Sequence, residues 1–229
     1  MALKPFNQEG SEPSSAGFQR QQRRQGPVPF TTKLAQGFSA LPGQHKDWAF
    51  NTLLLLYYSQ VLGLSASLAA LAIAASLLID AITDPMVGAF SDSFRSRLGR
   101  RHGLMLASIL PTCGAMFALF SPPETLQDGG LAAWMLACSI VLRISFTFFA
   151  VPWGAIAAEL SEDYAERTTI IAYRMLIGGL GGVIFIFFIY ALFPASDAYV
   201  NGLFNPASYP RFAAVIATLM AFWMLLSTL

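Results

Sequence analysis

Apolar residues gather along this chain in long blocks separated by short polar stretches. The first clear block runs from Trp48 to Leu64, the second from about Leu68 to Phe90 and the third from Leu104 to Phe120. The fourth covers Leu131 to Ile156 and the fifth about Thr169 to Leu192; a sixth begins near Arg211 and is still apolar at Leu229. Blocks of this length suit helices that cross about 30 Å of hydrocarbon. The pattern predicts an all-α membrane protein with six transmembrane helices. Upstream of Trp48, Leu34 to Pro42 is moderately apolar, and Gln44, His45, Lys46 and Asp47 follow. Hydropathy alone starts the first helix at Trp48 and leaves those four polar residues in water.

Composition agrees with the blocks. Of 229 residues, 55% are hydrophobic and only 12% charged, against about 25% charged in a soluble domain. There is too little polar surface to cover a water-exposed globule, so a bilayer is the solvent. The net charge of +1 points to no acidic partner. The arginines form short clusters without aromatic partners, which argues against nucleic acid. Cys113 and Cys138 lie inside apolar blocks and read as small hydrophobes. No nucleophile–His–acid arrangement and no metal-ligand spacing occurs, so no enzyme and no cofactor is expected.

Charge also sets the expected topology. Residues 1–30 are rich in Gln, Ser, Gly and Pro and carry Arg20, Arg23 and Arg24 without an apolar core, unlike a cleavable signal peptide. They read as a disordered cytoplasmic tail, with 31–229 as one six-helix bundle. Arg95, Arg97, Arg100 and Arg101 fall between the second and third blocks, and Arg167 between the fourth and fifth; the intervening loops hold Glu124, Asp128 and Asp197. Basic and basic-poor segments therefore alternate, as six spans with both ends inside require. The last block lacks a closing polar flank, from which truncation is expected rather than a genuine half-size protein.

Charges inside spans are costly and usually serve ion or solute pathways. Asp80 and Asp84 are four apart and project from one helix face, with Thr83 beside them. Two carboxylates so close do not ionise independently, so the pair can hold a proton or bind a cation between both groups. Pro85 frees a backbone carbonyl nearby. The alternative is a buried structural ion pair with Arg143 or Arg174. Each arginine is also a candidate for holding a solute hydroxyl or anionic group, and Arg174 could instead snorkel to the cytoplasmic surface. Gly88 allows close helix approach, Asp92 can pair with the following arginines, and Gly99 allows a tight turn, which together suggest a cytoplasmic gate. Asp163 to Glu166 fits a capping box, and the glycines from 178 to 182 suit close helix packing. Among Phe146, Phe148, Phe149 and Trp153, the tryptophan beside Pro152 is the strongest candidate to stack on a sugar face.

These residues resemble a known family. The run from Asp80 to Pro85, with Gly88 and Arg95 to Arg100, resembles the glycoside–pentoside–hexuronide:cation symporters of the melibiose-permease-like kind, within the major facilitator superfamily. Thr31 to Leu34, Val61 to Ser65, Pro152–Trp153, Glu159–Leu160, Glu166 to Thr168 and Tyr173–Arg174 are similar too, so the resemblance covers about 31–229. It implies the amino-terminal half of a twelve-helix fold, with sites near the midplane. It also implies a first helix that starts near Lys33 and carries Gln44 to Asp47 into the membrane. The implied cation site is Asp80, Thr83, Asp84 and Thr147, for H+ or Na+; Thr83 stands where the family often has Asn. The implied solute site departs from the galactoside pattern: Gln44 and Ala150 fall at its two acidic positions, and Asp47 stands near Gln44. Gln44, Asp47, Arg143, Trp153 and Arg174 are the candidate solute-binding residues, and Gly88, Asp92, Arg95, Arg97, Gly99 and Arg100 the candidate gate.

The expected function is cation-coupled symport of a sugar or other small polar solute by alternating access, in a bacterial inner membrane with the N-terminus cytoplasmic. The missing six-helix half is the expected partner. The alternatives are a lipid or lysolipid carrier of the same superfamily and a nonfunctional remnant.

Overall fold

The structure, a computed structural model, describes residues 28–94, 101–161 and 163–228, the side chains of 157–159 excepted. All its principal elements are helical. The first is a composite rod: α1 (Phe30–Phe38), α2 (Leu41–Trp48) and two π-helical stretches, Ala49–Leu54 and Tyr57–Val61. Then come α3 (Ala66–Ser93), α4 (His102–Leu119), α5 (Asp128–Glu159), α6 (Tyr164–Leu192) and α7 (Ser208–Thr228), with a short 3₁₀ turn at Gly202–Phe204 before the last. The helices α3 to α7 are each long and apolar enough to cross a membrane.

The rod stands where the sequence expects the first of six spans, and it corrects the start that hydropathy gives. Helix begins at Phe30, not Trp48. Pro42 has no N–H to offer, and the α1–α2 junction falls just before it, at Ser39 and Ala40, which stay right-handed helical. Gln44, His45, Lys46 and Asp47 are therefore helical residues, as the resemblance implied. Hydropathy misses them because it scores polarity without partners: Gln44 and Asp47 line a cavity, and Lys46 pairs with Asp47. The expected tail of residues 1–30 lies mostly outside the described residues. Val28, however, is buried beside Ile170 and Leu160, and its N–H donates to Glu166 at 3.3 Å.

Helix α5 packs on both α3 and α4, α7 packs on α4, and α1 and α2 pack on α6. Within hydrocarbon, apolar burial gains little by itself, so close fit and internal hydrogen bonds hold helices together. The α2–α6 seam shows this. A Cβ at Gly181 would run into Leu41, and one at Gly182 would lie 2.8 Å from Trp48 Nε1. Of the glycines that the sequence marks for close packing, Gly182 is required against the rigid indole, whereas the Leu41 side-chain tip opposite Gly181 is free to shift. At Gly88 the expectation fails: a Cβ there would meet Val151 at an ordinary 3.9 Å, so α3 does not need glycine to approach α5.

The end of the bundle near the 62–65 and 120–127 loops is closed by aromatics. Tyr57 stacks on Tyr209 at 3.9 Å, Phe120 meets Phe212 edge-on, and Tyr58 donates to the Leu119 carbonyl at 2.8 Å. Near the start of α6 the capping box is only half formed. Asp163 accepts from the Ala165 N–H at 3.1 Å, whereas Glu166 turns away to pair with Lys33 of α1 at 2.8 Å. A full charge partner on another helix outcompetes the local backbone N–H for that carboxylate.

Candidate functional site

Two polar groupings lie on adjacent faces of α5. The first is against α3. Ser76, Asp80 and Asp84 recur every four residues and share one stripe of that helix. Arg143 of α5, only 9% exposed, donates from Nη1 to Asp80 Oδ2 at 2.7 Å and from Nε to Ser76 Oγ at 3.2 Å. Its guanidinium carbon sits 4.8 Å from the Phe50 ring centroid, so the first rod roofs it with an aromatic face. One turn further along α5, the buried Thr147 hydroxyl lies 2.9 Å from Asp84 Oδ1 and 3.0 Å from the Arg143 carbonyl, and one proton serves either acceptor. Thr83 turns inward on its own helix, donating to the Asp80 carbonyl at 3.1 Å. Its hydroxyl oxygen keeps acceptor capacity. Asp84 is exposed and Asp80 half-buried.

The second grouping is a cavity of about 380 Å³ between the rod, α5 and α6. Gln44, Asp47, Ala150, Trp153 and Arg174 line it, as does Phe146. The Arg174 guanidinium carbon lies over the Trp153 ring, 3.4 Å from its centroid, and has no carboxylate partner among the described residues. The Trp153 indole N–H donates to Ser39 Oγ at 2.5 Å. Arg174 thus sits against Trp153 at the cavity wall. Asp47 is matched by Lys46 at 2.9 Å, and that ammonium also lies 5.0 Å from the Phe146 centroid.

The sequence grouped Arg143 with the solute residues. The structure places it against Asp80 instead, outside the residues that line the cavity. Phe149 is fully buried behind Trp153 and Phe148 packs edge-on against Phe90, so neither presents a free ring to the cavity. Sequence reasoning missed Ser39, Ser76 and Phe50, and it ranked Phe146, which lines the cavity, below Trp153. Ser76 was legible as the next step of the four-residue stripe; Ser39 and Phe50 carried no local signal, because only helix packing brings them near. Of the expected gate, Asp92 pairs with Arg101 at 3.6 Å. Arg95, Arg97, Gly99 and Arg100 lie outside the described residues.

A second, apolar groove of about 510 Å³ runs between the rod, α6 and α7, lined by Phe38, Leu41, Ile184, Phe188 and Trp223 among others. His45, 5% exposed, also lines it.

The sequence matches the family described as MFS/sugar transport protein over residues 35–229. An uncharacterized symporter of Synechocystis sp. is 31% identical over 171 residues, which is 72% of this chain and 31% of that protein. An uncharacterized symporter of Bacillus subtilis is 31% identical, over 66% of this chain and 32% of its own length. The sodium-dependent lysophosphatidylcholine symporter 1 of Gallus gallus is 29% identical over 67% of this chain and 29% of its length. The chain thus spans about a third of the length of the curated relatives it matches. These relatives are named as symporters, not as enzymes.

Proposed function

The chain belongs to the MFS/sugar transport protein family, and on that premise we propose that it forms the amino-terminal six-helix part of a cation-coupled symporter. It is a multi-pass integral membrane protein. In this reading Asp80, Thr83, Asp84 and Thr147 take the coupling ion, proton or sodium. Gln44, Asp47, Trp153 and Arg174 take a sugar or another small polar solute, and the two halves of the protein alternate access. The N-terminus faces the cytoplasm of a bacterial inner membrane.

One observation carries this reading. Helix α5 is a shared wall: Arg143 and Thr147 reach the carboxylates of α3, while Phe146, Ala150 and Trp153 reach the cavity. The two sets sit about 70° apart around one helix. A rotation or tilt of α5 that accompanies ion binding at one face must reshape the other, which is what coupling requires. The partner of the bundle is a second six-helix half. The broad apolar surfaces left open on α3 (Leu71, Leu78, Ile82, Met86) and α6 (Met175, Ile184, Phe187) fit such a partner or lipid.

The test is ion-driven uptake in proteoliposomes. Asp84→Asn is expected to abolish gradient-driven accumulation while leaving the purified protein folded; normal accumulation by that variant refutes the assignment.

A lipid or lysolipid carrier is the second reading, favoured by the apolar groove and by the lysophosphatidylcholine symporter among the relatives. Binding of sugars measured against lysolipids separates the two.

A further inference from the structure

The carboxylate pair already holds a cation. Arg143 gives Asp80 a 2.7 Å charge-assisted hydrogen bond and is itself fixed by Ser76 and by the Phe50 ring. The charged groups facing one another across this interface are Asp80 and Asp84 from α3 and Arg143 from α5; Thr147 supplies a hydroxyl, and the rod supplies Phe50. A hard metal ion is held by several oxygens that converge on it at once. Here one carboxylate is turned to the guanidinium, and a metal ion bridging Asp80 and Asp84 would sit beside a resident positive charge. The guanidinium is covalently tethered to α5 and held by Ser76 and Phe50, so this charge stays with the protein.

We propose that Arg143 is a tethered counter-cation that reserves Asp80 and so excludes sodium from the Asp80–Asp84 pair, leaving Asp84 as the carboxylate that meets an external charge. The inference rests on reading this pair as the coupling site, and it narrows the ion that the site accepts. Two negative charges and one fixed positive charge leave a single charge to be exchanged per cycle. Arg143 thereby acts as an ion-selectivity residue, not a solute ligand, in keeping with its place outside the cavity.

Direct binding of radioactive sodium to the purified full-length protein tests this without knowledge of the solute. Wild type is expected to show no saturable sodium binding that depends on Asp80. Arg143→Ala is expected to gain saturable binding, at least about tenfold tighter than any shown by wild type, and Arg143→Ala with Asp80→Asn is expected to lose it again. Saturable wild-type binding that Asp80→Asn abolishes overturns the proposal, and this comparison stands even where Arg143→Ala fails to fold. So does an Arg143→Ala protein that melts like wild type yet gains no sodium binding. Uptake is read separately: a protein with the expected sodium pattern but no solute transport removes the symporter reading and leaves the role of Arg143 standing.

Discussion

The Trp153 ring carries the Arg174 guanidinium on its face at 3.4 Å, so a residue of α5 fixes the one cavity cation supplied by α6. A desolvated pair of this kind contributes about 1 to 2 kcal/mol. Trp153→Phe keeps a ring but loses the bond to Ser39, whereas Trp153→Ala loses both. Solute affinity, measured as KM for uptake, is expected to weaken about 3-fold in the first and about 10- to 30-fold in the second. Equal KM values in the two variants would show that the stacking does not matter.

Thr147 joins Asp84 to α5 through a hydroxyl that is the only one described as reaching that carboxylate. Thr147→Val keeps the shape and removes the hydroxyl; Thr147→Ser keeps it. A hydrogen bond to a charged group contributes about 1.5 to 3 kcal/mol. Ion-driven uptake is expected to fall about tenfold or more in the valine variant and to stay near wild type in the serine variant.

Gly182 in the α2–α6 seam and Gly88 on α3 separate a required glycine from an incidental one. Gly182→Val forces a branched side chain against the Trp48 indole, an overpacking that costs about 1 to 3 kcal/mol. Gly88→Ala places a methyl at ordinary contact distance from Val151. In thermal melts of the detergent-purified protein, the first variant is expected to lose several degrees and the second to match or slightly exceed wild type, since alanine also favours helix.

Glu166 clips α1 to α6 through Lys33 and takes the Val28 N–H as well. Glu166→Gln removes the charge that the Lys33 ammonium meets but keeps an oxygen acceptor for the Val28 N–H, and Glu166→Ala removes both. The melting temperature of the detergent-purified protein is expected to fall in Glu166→Gln and further in Glu166→Ala. Unchanged melting in both variants would show that the clip contributes nothing.

The sequence by itself determined the five uninterrupted spans to within a few residues, because a bilayer imposes one period, one length and one composition on anything that crosses it. It also determined the Asp80–Asp84 stripe, since residues four apart share a helix face whatever surrounds them. The start of the first rod was legible only through family resemblance: its polar residues lower hydropathy, and nothing local says that Lys46 and Asp47 match each other or that Gln44 faces a cavity. Which arginine meets which acid was not legible at all. Arg143 is a buried and Arg174 a half-buried cation, both in apolar helices, and only the packing of α5 between α3 and α4 turns the first toward Asp80, while the α6 contact lays the second on Trp153. Partner choice among distant charges depends on how helices cross, a property of the assembled bundle that no window along the chain contains.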